Sequence, residues 1–445
     1  MELNQRLERL PVSRFHYFLL LTAGIAWMFD SMDTGIISFV LPVLMKSWRL
    51  TTEQVGTIGS MGLAGMALGA VFSGTIADMI GRKRVLVATL LTYSLATGLC
   101  GLAWNYGSLL FFRFLVGFGL GGQLPVAVTL VGEFSPAKYR GRFLVLLESF
   151  WAVGWLLAAV IAYLVIPTYG WSIAFFLGAL PALYVGYLWR FVPESPRYLE
   201  SHGRQAEAAG IVARIETQAG VTPPTEQVVK PAAHRQETKE AKFGLPHLFT
   251  RAYLKRTIFL WVLWFGIVFA YYGIFTWLPS LLALKGFVLT KNFSYILLMT
   301  LAQIPGYFSA AALVDKLGRK PTLVVYILGT AIFAYFFGQG SSNASILTMG
   351  CLMSFFNLGA WGIIYTYTPE LYPTVARATG SGWAAGFGRI GGILAPLVVG
   401  AILGRNPSGY SMVFVMFTGV LLVVALNVLV LGEETRGRTL DEIAT

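Results

Sequence analysis

The sequence predicts an all-α membrane protein of twelve spanning helices, arranged as two related six-helix halves. Three observations predict it: the composition, the run of apolar segments, and a repeat at one constant offset. The chain has 445 residues, 56% hydrophobic and 12% charged, with a mean hydropathy of +0.67. Soluble globular proteins carry about 25% charged residues. A core alone cannot hold this much apolar sequence, so lipid must serve as solvent.

A helix needs about 20 apolar residues to cross a bilayer. Such segments fall at 15–41, 55–79, 84–105, 107–133, 142–166 and 171–191. Six more follow at 257–284, 291–315, 321–338, 344–370, 378–403 and 409–431. The stretch between the sets is polar and holds a Pro-Pro pair, which predicts a solvated linker with a short helix over Gln205–Ile215. The expected organisation is a six-helix bundle over 1–191, a cytoplasmic linker over 192–256 and a second bundle over 257–445. The first apolar segment, from Phe15, is too long for a cleaved signal and lacks a small-residue cleavage site.

The formal charge of +12 raises the question of nucleic acid. The placement of Lys and Arg answers it. With the N-terminus cytoplasmic, 26 of the 33 basic residues face the cytoplasm, five face outside and two lie within spans. This is the positive-inside pattern. It puts both termini in the cytoplasm and leaves nucleic acid out as a partner. Cys100 and Cys351 both stand in apolar runs, so neither a disulfide framework nor a metal site is readable. No cofactor is expected. Two glycosylation sequons begin at Asn292 and Asn343 and matter only in a secretory route.

The halves overlay with one offset. Asp78 and Asp315, Gly81 and Gly318, Glu133 and Glu370, Pro136 and Pro373, and Arg140 and Arg377 are each 237 positions apart. Pro42, taken as the end of the first span, matches Pro279 at the end of the seventh by the same offset. One offset across six landmarks is a parallel duplication.

The turn after the second span reads GTIADMIGRKR from Gly74, and the turn after the eighth contains AALVDKLGRKP. On this duplicated motif the chain resembles the major facilitator superfamily over essentially its full length. PESPRYL from Pro193 and ETRGRTLDEI from Glu434 resemble segments of the sugar-porter and organic-ion branches. YYGIFTWLP from Tyr271 and ELYPTVARATG from Glu370 are similar to the bacterial niacin (nicotinate) permease group, which is related to synaptic vesicle glycoprotein 2 and organic-ion transporters. Two departures stand out. The paired-Gln motif of sugar porters is absent from the seventh span, and the outer loops are shorter than in the animal relatives.

The resemblance implies a major facilitator fold and alternating access. It also assigns a gating set. Asp78 is expected beside the N-terminus of the eleventh helix, where a carboxylate meets a positive helix dipole. Glu133, Arg140 and Arg142 stand at the turn between the fourth and fifth spans, and Asp315, Arg319, Glu370 and Arg377 form the mirror set. These pairs are expected to hold the cytoplasmic side shut in one state and to part in the other. The alternative is a set of loop charges that fixes topology only.

Ionisable groups at membrane depth are costly unless paired or facing water, and so mark function. At 1.5 Å per residue, Asp33 lies about 12 Å from the outer end of the first span and Arg113 about 9 Å into the fourth. Asp33 opens DTGIIS and Arg113 opens RFLVGFGLGG, which resemble the family motifs whose Asp and Arg pair. A proton on Asp33 would release Arg113 and couple proton entry to the cycle. A permanent structural ion pair is the other reading. Asp30 is a second proton site or a partner for Arg389. Glu148 is assigned to the gate, near Arg142.

Arg389 stands about 16 Å into the eleventh span, among the small residues of GFGRIGG. A guanidinium at the midplane suits an anionic ligand, since it binds carboxylate in a bidentate fork. A bond to a helix carbonyl or to Asp30 is the alternative. Trp27, Tyr271, Tyr272, Trp361 and Tyr365 supply aromatic faces at similar depth, and Gln303 and Asn357 supply amides. One arginine, aromatic faces and neutral amides fit a small planar carboxylate.

The function expected is uptake of a small organic anion, nicotinate first, by a monomer in the cell membrane, with proton symport. The alternatives are an aromatic-acid symporter for benzoate-like compounds and an organic-cation carrier using Asp30, Asp33 and Glu148. A receptor or scaffold is disfavoured by two intact gating motifs. An enzyme would need a nucleophile–base or metal constellation, and the sequence offers none.

Overall fold

Backbone N–H and C=O groups in lipid must be satisfied within the segment, which leaves the helix as the form open to runs of this kind. The computed structural model describes residues 6–7, 10–136, 139–221, 245–372, 374–406 and 408–436. Among them the helices run α1 (Arg14–Ser47), α2 (Thr52–Ile80), α3 (Arg82–Gly101), α4 (Tyr106–Phe134), α5 (Arg140–Tyr169), α6 (Trp171–Gly178) and α7 (Pro181–Phe191). Three short ones follow: α8 (Pro196–Ser201), α9 (Gln205–Gln218) and α10 (Leu245–Leu248). The set closes with α11 (Leu254–Leu284), α12 (Leu289–Leu317), α13 (Arg319–Gln339), α14 (Asn343–Glu370), α15 (Thr374–Arg405) and α16 (Tyr410–Leu431).

Twelve of these stretches are long and apolar enough to cross a membrane, with α6 and α7 together making one of them. That one breaks at Pro181. Proline has no N–H to give to the preceding turn, while its fixed φ suits a helix start. Asn105 starts α4 with a capping box: its side chain accepts from the Ser108 N–H at 2.8 Å, and the Ser108 hydroxyl accepts from the Asn105 N–H at 3.2 Å. Neither Pro42 nor Pro279 ends its span. The helix continues through both, to Ser47 and Leu284. In a membrane bundle, neighbouring groups meet the backbone that a proline frees.

By internal packing the chain falls into two compact units. The first is Met1–Asp33, Ala64–Gly154 and Phe175–Glu240. The second is Thr34–Leu63, Trp155–Ala174 and Ala241–Thr445. So α1, α2, α5 and α6 each contribute to both. In the first unit α2 crosses α4 backbone to backbone: a Cβ on Gly69 would stand 2.0 Å from the Phe118 carbonyl oxygen. In the second unit α12 crosses α14 in the same way, with Gly306 at 2.1 Å from the Phe355 carbonyl oxygen. Gly306 and Phe355 are the 237-offset partners of Gly69 and Phe118. Duplicated sequence has made a duplicated crossing, through the small residues that let membrane helices touch.

The second unit also explains why the start of α2 leaves its own half. Ser60 donates to the Ile393 carbonyl at 2.6 Å. A Cβ on Gly56 would meet the Pro396 carbonyl oxygen at 2.4 Å, and one on Gly400 the Thr52 carbonyl oxygen at 2.6 Å. The first turns of α2 are thus closed against the C-terminal half of α15.

In the linker, Tyr198, Leu199 and Ala208 bury a small core between α8 and α9. Ser195 caps α8 by accepting from the Tyr198 N–H. Arg6 reaches Glu216 of α9, Nη2 to Oε2 at 2.5 Å and Nε to Oε1 at 2.8 Å, which docks this part of the N-terminal segment on the linker helix.

Candidate functional site

The face that α15 turns to α11 is almost without side chains. Cβ atoms on Gly388 and Gly391 would meet the Trp264 and Phe265 carbonyl oxygens at 3.0 and 2.5 Å, and one on Gly392 would meet the Tyr272 ring at 3.3 Å. That closeness brings Arg389 beside Tyr272, near enough for the guanidinium to act on the phenol electrostatically. Arg389 is half-buried. No hydrogen bond or ion pair to it exists among the described residues.

From Tyr272 onward the rings are contiguous. Tyr271 packs edge-on against Tyr272 (5.3 Å between centroids) and Trp361 (5.5 Å), and lies 5.0 Å from Phe275. Trp361 continues to Tyr365 at 5.7 Å, and Trp264 closes on both at 5.8 and 5.5 Å. Trp155 of α5 stands over Tyr271 and Phe275 at 6.4 and 6.1 Å. Edge-to-face pairs of this kind add about 0.5–1.5 kcal/mol each beyond their buried area. Trp264 is held from the far side, its Nε1–H donating to Thr368 Oγ1 at 3.0 Å.

Gln303 and Asn357 flank the α12–α14 crossing at Gly306 and Phe355. Both are fully buried, and neither side-chain amide has a partner among the described residues. The Ser354 hydroxyl is in the same condition. Buried amides of this sort cost about 1–3 kcal/mol each unless something meets them, so they point to a ligand or to water. The structure therefore gathers Arg389, Tyr271, Tyr272, Trp361 and Tyr365, with Gln303 and Asn357 on the adjoining helices. Trp155, Trp264 and Phe275 join them unforeseen. Trp264 precedes Tyr271 by seven residues, two turns on one helix face, which is the signal that would have found it.

Trp27 belongs to the first unit. It is buried, it lies 4.9 Å from Trp151, and it adjoins the Glu148 carboxyl. Glu148 is thus set against a tryptophan, while Arg142, its expected neighbour, is exposed.

Asp33 and Arg113 come together in the first unit, Oδ2 to Nη1 at 3.4 Å, with side chains 0% and 4% exposed. Thr97 of α3 donates to the other carboxylate oxygen at 2.5 Å. The Cys100 thiol lies against the guanidinium. Asp30, one turn earlier on α1, is also buried.

At the Gly-Arg-Lys turns, Gly81 and Gly318 take φ of 106° and 105°, a region that favours glycine. Each turn opens a helix whose first N–H groups meet a carboxylate. Arg82 and Lys83 donate to Glu194 Oε1 at 2.9 and 3.1 Å. Arg319 and Lys320 donate to the two Glu434 oxygens at 3.0 and 3.1 Å. These are helix N-terminus anion sites. Ser195 then donates to Glu133, and Thr435 donates to Glu370 at 2.5 Å. Arg82 stands 3.7 Å from Glu133, and Arg319 grips Glu370 at 3.0 Å. Asp78 pairs with Arg82 at 2.8 Å but is 72% exposed, where an ion pair contributes little. The side chains of Arg140, Asp315 and Arg377 lie outside the described residues.

Twelve spans, a buried ion pair, matched networks at two basic turns and an arginine among rings define a membrane transporter. The Sugar (and other) transporter family pattern matches residues 22–445, and the chain belongs to that family. It is 55% identical over 443 residues to "Niacin transporter NiaP" of Acinetobacter baylyi, covering 100% of both chains. It is 46% identical over 423 residues to "Putative niacin/nicotinamide transporter NiaP" of Bacillus subtilis, covering 95% of this chain and 97% of that one. The inward open conformation of the xylose transporter XylE from E. coli superposes with a TM-score of 0.77 at 18% identity, over 96% of this chain and 99% of that chain. That likeness shows the fold. The chain is a multi-pass transporter of the major facilitator superfamily, not an enzyme.

Proposed function

We propose that this chain takes up nicotinate across the cell membrane by alternating access with proton symport, as a monomer with both termini cytoplasmic. The observation that carries the substrate reading is Arg389, a half-buried guanidinium beside Tyr272 with contiguous rings next to it. A planar aromatic carboxylate offers what such a site lacks: an anion for the fork and a π face for the rings. The niacin names borne by relatives at 55% and 46% identity support the same ligand.

Proton coupling is assigned to Asp33, Arg113 and Asp30, which are buried together. A proton on Asp33 weakens its hold on Arg113 and lets the helices re-pack. Gating is assigned to the two turn networks, with 1–191 and 257–445 as the moving halves and 192–256 between them. Asp78→Asn tests the gate: unchanged uptake together with unchanged inward and outward accessibility removes Asp78 from it.

Purified protein in liposomes tests the whole reading. With the lumen alkaline, labelled nicotinate should accumulate beyond equilibrium, and a protonophore should abolish the excess. Benzoate competing equally well would favour the general aromatic-acid reading. Choline uptake without nicotinate uptake would favour a cation carrier and sink the proposal.

A further inference from the structure

One ring of the second unit carries a buried polar atom that nothing meets. Trp155 of α5 is 2% exposed, and its indole Nε1–H has no hydrogen-bond partner among the described residues. The ring is held in place by α1. A Cβ on Gly35 would stand 3.3 Å from Trp155 Cε3 and 3.5 Å from Cδ2. Those atoms form one long edge of the indole and Nε1 lies on the other, so the N–H edge turns away from α1. The same ring meets Tyr271 and Phe275 of α11 edge-to-face, at 6.4 and 6.1 Å between centroids. Tyr271 is 5.3 Å from Tyr272. Tyr272 lies against α15, 3.3 Å from a Cβ placed on Gly392, and Arg389 stands one turn before Gly392 on that helix. An unmet donor and a guanidinium thus stand at the two ends of one short row of rings. Trp361 also has an unmet Nε1–H, but its ring is half-exposed, and the enclosed one is Trp155.

We propose that Trp155 tells nicotinate from benzoate: its Nε1–H donates to the pyridine nitrogen of a substrate whose carboxylate is held by Arg389. The proposal rests on the nicotinate reading above and adds which atom of the ring is read, and by what. The chemistry is a match of opposites. An indole N–H donates and does not accept. The ring nitrogen of nicotinate at neutral pH accepts and does not donate. Benzoate has a C–H in that place, so binding it leaves the buried N–H unmet. A buried donor left unmet costs more than an ordinary hydrogen bond contributes. A site built to bond one polar atom therefore rejects the analogue that lacks it. A nicotinate lying along Tyr271 presents its carboxylate toward Arg389 and its nitrogen toward Trp155. The rings then supply affinity for any aromatic acid, and Trp155 supplies the choice among them.

The test is equilibrium binding to the purified full chain, with nicotinate, benzoate and isonicotinate in competition. Isonicotinate keeps the nitrogen but moves it opposite the carboxylate. Wild-type protein should bind nicotinate about tenfold tighter than either of the others. Trp155→Phe keeps an aromatic ring over Tyr271 and removes the N–H. It should bring the preference for nicotinate over benzoate from about tenfold to about one. Trp155→Phe that keeps the wild-type preference overturns the proposal. So does an equal loss of both ligands in this variant, which marks Trp155 as a packing residue. Wild-type protein that binds isonicotinate as tightly as nicotinate also overturns it, with no variant needing to fold. Equal wild-type affinity for nicotinate and benzoate does the same, while leaving an aromatic carboxylate as the substrate. Wild-type protein that binds none of the three overturns the nicotinate reading itself, an outcome distinct from all of these.

Discussion

Arg389→Ala is expected to lower nicotinate uptake about 100-fold. Hydrogen bonds to charged groups contribute about 1.5–3 kcal/mol each, and a guanidinium fork makes two of them to a carboxylate. Two such bonds at the low end are about 3 kcal/mol, or roughly two powers of ten in affinity. The fold should survive. Arg389 is half-buried, its helix packs through Gly388, Gly391 and Gly392, and no ion pair or hydrogen bond to it is lost among the described residues. Lysine at the same place should restore only part of the uptake, since a point charge cannot make the fork. Uptake assays on variants matched for membrane expression check this. Arg389→Ala transporting nicotinate at the wild-type rate would remove the arginine from the substrate site.

Asp33→Asn is expected to abolish accumulation against a gradient while leaving downhill exchange. The carboxyl is 0% exposed and faces Arg113 at 3.4 Å, so the substitution also leaves a buried cation without its countercharge. Removing one partner of a buried pair costs about 3–5 kcal/mol, and some loss of folded protein is expected with the single variant. Asp33→Asn with Arg113→Gln removes both charges and should recover the folded yield, but not the coupling. Recovered coupling in the double variant would mean that the pair is structural. Full gradient-driven accumulation by Asp33→Asn alone would say the same.

Much of this architecture was legible because duplication writes itself twice. The 237-residue offset joins Gly81 to Gly318, and in the structure both take the same positive φ. It also joins Gly69 to Gly306, which make the same helix crossing. The approach of Asp33 and Arg113 was implied by the resemblance of DTGIIS and RFLVGFGLGG to family motifs whose Asp and Arg pair, and helix rise added only that the two lie at similar depth.

What depth does not give is the direction a side chain faces. A membrane helix is apolar all round, so its hydrophobic pattern does not tell the lipid side from the bundle side. Thr97 therefore reads as an ordinary residue of the third span, and Trp264 as one more aromatic. Trp27 lies near the depth assigned to the other aromatics but packs in the first unit, against Trp151. Glu194 and Glu434 were hidden for another reason. They cap equivalent helices, yet they are 240 positions apart, so a three-residue difference takes them off the common offset. Asp78, carried by the more conspicuous motif, is the exposed partner of Arg82.

The central claim is that a guanidinium among aromatic rings selects a small aromatic carboxylate. Direct binding of nicotinate and nicotinamide to the purified wild-type chain tests it most simply, because the two ligands share a pyridine ring and differ in the charge of one substituent. The account predicts saturable nicotinate binding, nicotinamide weaker by about 100-fold, and a loss of that preference in Arg389→Ala. Equal affinity for the two ligands would contradict it.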